Sequence, residues 1–388
     1  MREVVVAGVG MSEFGLLPDR TLREMGEQAV FKALVDAGMR PRDVQASYYG
    51  YCLGKLNGQE CMPGHLVLHG LGITSIPIIR IESACASGSV AFREAYRNVA
   101  AGLYDIVLAM GLEKMTGSPS ADIRRAMAGG ADNELEGNLG ITFPGVFGLI
   151  ANRHMHDFGT TREQMALVSV KNRGNAARNP LAQFREPVTV EQVMSSRMIA
   201  RPLRLLECSA LSDGCSAAIL TTPEQARRFA AGKPVFVKAA VLGGGQLRDD
   251  ADLVSFPASA RAAREAYEAA GIGPEDVDLA EVHDCFSIAE IVHCEDLGFC
   301  AKGEGGKLVE SGATRIGGRI PVNPSGGLIG KGHPLGATGV AQVVEVVNQL
   351  RGRCGERQVE GAAVGLTQTL GGFSHGDVLS VAVTVLAS

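Results

Sequence analysis

No stretch of this chain approaches the ~20 consecutive apolar residues that a membrane-spanning helix needs. Basic charge is not in surplus: 37 Lys and Arg against 42 Asp and Glu leave a net charge of −5, which gives no footprint for nucleic acid. CxxC pairs are missing, so the nine cysteines form neither a zinc template nor a disulfide framework. Their odd number suits a reducing cytoplasm, and no bound metal is expected. The opening MREVVVAGVG reads as a strand rather than a secretory signal, and the closing VLAS carries no receptor-read address. Two glycine-rich stretches fall short of nucleotide loops. GVGMSEFG lacks the third glycine of a dinucleotide fingerprint and opens no helix, and in GLIGKG the residue after Lys331 is Gly332 rather than the Ser or Thr of a phosphate loop.

What is present is an ordinary globular composition, 46% hydrophobic and 20% charged, over 388 residues, enough for two or three domains. The 50 glycines are the exception, about twice the usual share of ~7%. Within this chain lies a duplication. Ala33–Val44 reads ALVDAGMRPRDV and Ala266–Val277 reads AYEAAGIGPEDV; they agree at Ala33/Ala266, Ala37/Ala270, Gly38/Gly271, Pro41/Pro274, Asp43/Asp276 and Val44/Val277. Each is a helix stopped by glycine, a proline turn and then a strand. Later elements echo as well: a helix after Cys85 and one after His333 lead through Gly102 and Gly352 to apolar strands at 105–111 and 362–369. Two copies of one β/α unit are therefore expected, in layered α/β domains with active residues at strand ends. The first would span 1–230 and the second 231–388. Residues 116–203, rich in Met, Gly, Asn and Arg, read as an insertion in the first copy, with helical pieces at 148–158 and 162–177. It would serve as an oligomer-packing arm, a cap over the substrate, or both.

Chemistry gathers at four places. Ile76–Glu82 reads as a mostly buried strand, and Cys85 follows where a helix begins, among Ala84, Ala86, Ser87, Gly88 and Ser89. Unpaired N–H groups and the helix dipole there favour thiolate, which points to a nucleophile; a buried core cysteine is the alternative on this stretch alone. The second place is His283-Asp284-Cys285-Phe286 at the end of the strand DLAEV. The third is Asn323–Gly339, NPSGGLIGKGHPLGATG, with His333 between Gly332 and Pro334, poorly placed for core packing and suited to proton transfer. The fourth is Thr369-Leu370-Gly371-Gly372, closing an apolar strand.

Together SACASG, HDCF, NPSGGLIGKGHPLGATG and the terminal strand with its Gly-Gly resemble the thiolase superfamily along essentially the whole chain, in the branch similar to sterol-carrier-protein-type and archaeal acetyl-CoA acetyltransferases. The resemblance implies a duplicated five-layer αβαβα core with an inserted loop domain, and a homodimer or homotetramer. It implies an acyl group carried on Cys85, His333 as its activating base, and His283 in place of the usual Asn at a thioester-oxygen site. The backbone N–H groups of Cys85 and Gly371 would form a second oxyanion hole, and Ser259 would contact the pantetheine arm. Where most relatives have a second catalytic cysteine, Thr369 stands; Cys285 would supply that thiol. Coenzyme A and acyl-CoA are then substrates, with no tightly bound cofactor. The activity expected is cleavage of 3-oxoacyl-CoA or Claisen condensation of acyl-CoAs. Alternatives are acyl transfer to a non-CoA acceptor, retro-aldol cleavage of a CoA thioester, which the retained Cys85 speaks against, and a scaffolding subunit, which the four retained site residues speak against.

Overall fold

A computed structural model of the chain describes residues 1–57, 61–132, 134–229, 232–246 and 252–388. The first copy runs β1 (Val5–Met11), α1 (Leu22–Ala37), β2 (Ala46–Gly50), α2 (Pro63–Gly70), β3 (Ile78–Ile81), α3 (Ser87–Ala101) and β4 (Ile106–Glu113). The region that follows holds α4 (Ser120–Ala128), α5 (Phe143–Phe158), α6 (Arg162–Ala176), α7 (Val190–Ser195), β5 (Met198–Ala200) and β6 (Leu203–Arg204). The first sheet is then completed by β7 (Gly214–Thr221), with α8 (Pro223–Arg228) after it. The second copy runs β8 (Val235–Gly244), α9 (Pro257–Ala270), β9 (Leu279–Glu281), α10 (Ser287–Asp296), α11 (Gly305–Glu310), α12 (Gly327–Gly330), α13 (Leu335–Leu350), β10 (Val364–Ser374) and β11 (Asp377–Ala387).

Strand order makes the duplication explicit. The sheet reads β3-β2-β4-β7-β1-β8-β11-β10-β9. In the first half β2 lies parallel to β3 and β4, while β7 runs antiparallel to β4 and β1. In the second half β9 lies parallel to β10, while β11 runs antiparallel to β10 and β8. A parallel bridge from Ala280 to Val322 stands where β3 stands in the first half. The halves join at their edges through Val5↔Phe236 and Val6↔Val235. Helix α1 covers one outer face on β1 and β7, and α9 covers the other on β8 and β11. Between the sheets lie α3 and α13, touching each other and strands of both halves. Five layers result.

Local sequence explains the ends of these elements. Thr21 caps α1 in a reciprocal box with Glu24, and Gly38, left-handed at φ 65°, closes it. Leu22, Met25, Ala29, Ala33 and Ala37 all face the sheet, as their spacing predicts. Helix α5 begins at Phe143, five residues before the start expected from periodicity, because Thr142 caps it and Pro144 sits in its first turn. One expectation is corrected: the stretch before Cys85 is not mostly buried. Strand β3 lies at the sheet edge, and Ile79 is 43% exposed.

The middle layer depends on close backbone contact. A Cβ placed on Gly339 of α13 would lie 2.4 Å from the backbone N of Ser89 on α3, and one on Gly88 would lie 2.6 Å from the Gly336 carbonyl oxygen. We expect Gly339→Ala to destabilise the fold by about 1–3 kcal/mol through overpacking. Gly174→Ala in α6, where nothing lies within 4 Å of the added methyl, should instead stabilise it by up to about 1 kcal/mol. Urea unfolding midpoints moving in opposite directions is the outcome that checks this pair.

Candidate active site

The two central helices begin side by side, and each start carries a reactive side chain. After β3 the chain turns sharply through Ala84, which is left-handed at φ 47° despite its Cβ. Ser87 pins the turn, its hydroxyl accepting from Ser83 N–H at 2.8 Å and donating to the Ala84 carbonyl at 2.6 Å. Cys85 stands on this turn. On the other helix, Gly332 at φ 113° delivers His333 ahead of Pro334, and His333 N–H donates to Ser212 Oγ at 2.9 Å. His283 comes from the loop after β9, its N–H donating to Gln368 Oε1 at 3.1 Å. The Cys85 sulfur and one ring nitrogen each of His283 and His333 lie within 4.8 Å of one another, and the two rings meet edge-on with centroids 5.1 Å apart. Two imidazoles and a thiol this close could also converge on a metal ion.

These groups line a cavity of about 340 Å³. Its walls are largely apolar: Phe143 and Phe147 from α5, Ala126 and Met127 from α4, and Phe286, Leu370 and Phe373 from the second half. The region between β4 and β7 therefore covers the site. Cys285 lies on the same wall but outside the close group of three. Gly371 packs under the turn that carries Cys85, where a Cβ would come 2.2 Å from the Ser83 carbonyl oxygen. Ser259 is elsewhere: it is fully buried, accepts from Gln368 Nε2 at 3.0 Å, and is not on the wall. The serine on the wall is Ser209. Thr369 is also sealed off, its hydroxyl donating to Gln342 Oε1 at 2.6 Å and accepting from Ser89 Oγ at 2.9 Å.

Three residues on or beside this cavity escape a reading of the motifs alone. Cys52, a third thiol on the wall, follows β2. It stands 233 residues before Cys285, the same offset that separates Val44 from Val277, so the duplication itself could have revealed it. Glu113, at the end of β4 and fully buried, accepts from the N–H groups of Cys52, Leu53 and Gly336 at 3.2, 3.1 and 2.9 Å. One carboxylate thus ties two wall residues to the first turn of α13. Thr338 holds the His333 ring at 2.7 Å.

Burial governs the protonation of the site. It pushes the Cys85 thiol up to about 12, with Glu113 adding to the effect and the N–H of Cys85 itself opposing it. The expectation that the helix start favours thiolate is therefore overturned by desolvation. Burial and then Lys331 push His333 down to about 3, and burial, His333 and His293 hold His283 well below its ordinary value. Burial, followed by Cys85 and Asp284, holds the Cys285 thiol well above its ordinary value. Glu113 is raised to about 7 by burial, against the pull of its three N–H donors. The site rests as neutral thiols and neutral imidazoles. Alkylation of Cys85 by iodoacetamide should accordingly climb about tenfold per pH unit between about pH 6 and 9 without a plateau. It should rise less steeply near pH 7, where Glu113 gains its charge and opposes thiolate. Mass spectrometry of the Cys85 peptide reads this out, and a plateau below about pH 8 would contradict it.

Comparison with known proteins places this geometry. The family model described as the thiolase N-terminal domain matches residues 4–224, and that of the thiolase C-terminal domain-like family matches 240–384. The acetyl-CoA acetyltransferase of Methanothermobacter thermautotrophicus is 50% identical over 374 residues, covering 96% of this chain and 97% of its own. Sterol carrier protein 2 of Bos taurus is 38% identical over 386 residues, covering 95% of this chain and 70% of its own. Among solved structures, one titled Ltp2-ChsH2(DUF35) aldolase superposes with a TM-score of 0.84 at 26% identity, over 100% of this chain and 98% of that one. Two matched halves, a full-length relative at half identity and a thiol between two histidines agree: the chain belongs to the thiolase family.

Proposed function

We propose that this protein is a thiolase-type acyltransferase that cleaves 3-oxoacyl-CoA with coenzyme A or condenses acyl-CoAs through an acyl group on Cys85. The observation that carries the reading is the Cys85 thiol set within 4.8 Å of two imidazoles at the wall of an apolar cavity. Loading begins when Cys85 attacks the thioester carbonyl while His333 takes the thiol proton. The developing oxyanion is held by the N–H groups of Cys85 and Gly371, and the proton then leaves with the CoA sulfur. In the second half-reaction Cys285 passes its thiol proton to His333 and, as the thiolate, removes the α-proton of the incoming acyl-CoA. His283 and the now protonated His333 hold the enolate oxygen, the enolate carbon attacks the acyl group on Cys85, and the departing Cys85 thiolate takes the proton from His333. Thiolysis is the reverse sequence.

A second reading, retro-aldol cleavage, has the aldolase similarity behind it. Carbon–carbon cleavage of a β-hydroxy thioester needs a base and an oxyanion site but no acyl-bearing thiol, so the position of Cys85 favours acyl transfer. We divide the chain at about residue 230, ahead of β8, with 116–203 as the inserted loop domain. The reading brings with it a role in lipid metabolism, a cytoplasmic setting, coenzyme A as substrate rather than resident cofactor, and a homodimer or homotetramer. For the last, the half-exposed strand β3 stands at an edge of the sheet, where a second copy can pack.

Incubating the protein with a ladder of acyl-CoAs and reading intact mass should show one acyl adduct. Cys85→Ala should abolish it while leaving the fold intact; an adduct that survives would remove Cys85 as nucleophile. Cys285→Ser should load normally yet lose about 10²–10⁴-fold in overall turnover, the usual worth of general acid–base catalysis. Full turnover by this variant would move the second proton step to Cys52, the other thiol on the wall. Light scattering at micromolar concentration should report a dimer or tetramer, and a monomer would count against the assembly.

A further inference from the structure

Of the two imidazoles in the cavity, one has a ring nitrogen committed within the protein. His333 Nδ1 lies 2.7 Å from Thr338 Oγ1, and Thr338 Oγ1 lies 2.9 Å from the Pro334 carbonyl oxygen. A hydroxyl has a single proton to donate, and a carbonyl oxygen can only accept. If the Thr338 proton turned toward His333, two oxygens would face each other at 2.9 Å with no hydrogen between them. Thr338 is 0% exposed, so water could not relieve that contact. The proton therefore goes to Pro334, the hydroxyl oxygen is left as an acceptor, and the hydrogen on the ring must sit at Nδ1. His333 is neutral, which leaves the lone pair on Nε2. With Nδ1 occupied, Nε2 is the nitrogen free to face Cys85 and His283. The His333 backbone is held separately, by Ser212. His283 differs: its Nδ1 has no partner among the described residues, so the protein does not preset which nitrogen carries its hydrogen.

We propose that Thr338 is a positioning residue that fixes His333 as the Nδ1–H tautomer and so reserves Nε2 to take the Cys85 proton. The device is economical in sequence, because Thr338 lies four residues beyond Pro334 in the first turn of α13 and bonds back to the carbonyl at the helix start. It also holds through turnover. When Nε2 takes the proton from Cys85 the ring becomes imidazolium, and Thr338 still accepts from Nδ1. The same proton then leaves from Nε2 to the departing CoA sulfur, returning the ring to its starting tautomer. The opposite tautomer would present an N–H to the thiol and could accept nothing from it.

The chemistry of this inference rests on the acyl-transfer reading, but its first test does not. Long-range ¹H–¹⁵N correlation of protein labelled at histidine, with His333 assigned by comparison with His333→Gln, needs no substrate. The wild type should show the His333 hydrogen on Nδ1. Thr338→Val, close in shape but without a hydroxyl, should lose that preference and show Nε2–H. Its rate of Cys85 acylation should fall about 10²-fold, in the range of general-base contributions, with little change in KM for the acyl-CoA. Thr338→Ser keeps the hydroxyl and should restore both tautomer and rate. A merely structural threonine would not move the tautomer. Nε2–H in the wild type would overturn the inference, as would a Thr338→Val protein that keeps Nδ1–H or loads at the wild-type rate. If Thr338→Val does not fold, the wild-type spectrum decides. Nδ1–H in a wild-type protein that forms no acyl adduct would uphold this inference while removing the acyl-transfer reading.

Discussion

The contact between α3 and α13 sets everything else at the centre of this molecule. Each helix starts at a reactive residue, so the separation of thiol from imidazole is fixed by how closely the two helix starts approach. Gly88 and Gly339 let the helices meet backbone to backbone, and Gly111 on β4 lets Gly336 and Ala337 come down onto the sheet. A methyl group at any of these places would meet main-chain atoms that cannot swing aside. Interiors packed to crystal density transmit such a displacement rather than absorb it. The long apolar helix α13, buried along nearly its whole length, makes the arrangement rigid, and Glu113 clamps its first turn to the cavity wall.

Electrostatics follows from the same burial. A site set between the two halves of the sheet, with both imidazoles buried and Cys85 half-buried, does not keep a resting thiolate–imidazolium pair, because neither ion has enough polar support to offset its lost hydration. Thiol and imidazole remain neutral; on the proposed acyl-transfer reading, charge is made only when a substrate supplies the carbonyl oxygen on which it resides, and donors fixed by backbone and helix starts face that oxygen without having to reorganise. The buried Glu113 is the exception, a carboxyl that burial raises to about 7 against the pull of its three N–H donors.

Much of this was legible in the chain, for identifiable reasons. Cys85 and His333 sit in short, unusual runs of small residues, His283 and Cys285 share the four-residue HDCF run, and helix periodicity marks the inward face of α1. Local signals failed where a residue's role depends on distant partners. Glu113 looks like any charge at a strand end until Cys52, Leu53 and Gly336 arrive from 61, 60 and 223 positions away. Ser259 lies fully buried away from the wall, whereas Ser209 reaches it through a loop whose N–H bonds to the Cys285 carbonyl. The exposure of β3 was hidden for a simpler reason: a β-branched run looks alike at the centre and at the edge of a sheet. His333 was expected clear of the core and is in fact 5% exposed, because the glycines around it admit other backbone rather than solvent.

The pairing of the two copies has one more consequence. Counting back from Gly102 and Gly352, which follow the two central helices, Cys85 falls opposite Leu335, and both reach the same cavity. At the strand ends, Gly50 falls opposite His283. The two units therefore share a scaffold but no longer share a chemistry. A symmetric pair of first units would bring two Cys85 thiols together with no imidazole between them. A symmetric pair of second units would bring imidazoles together with no thiol at a helix start. Self-association of like halves could therefore not rebuild the centre, which takes one half of each kind. The single polypeptide is in this sense an obligate heterodimer whose two subunits are joined end to end.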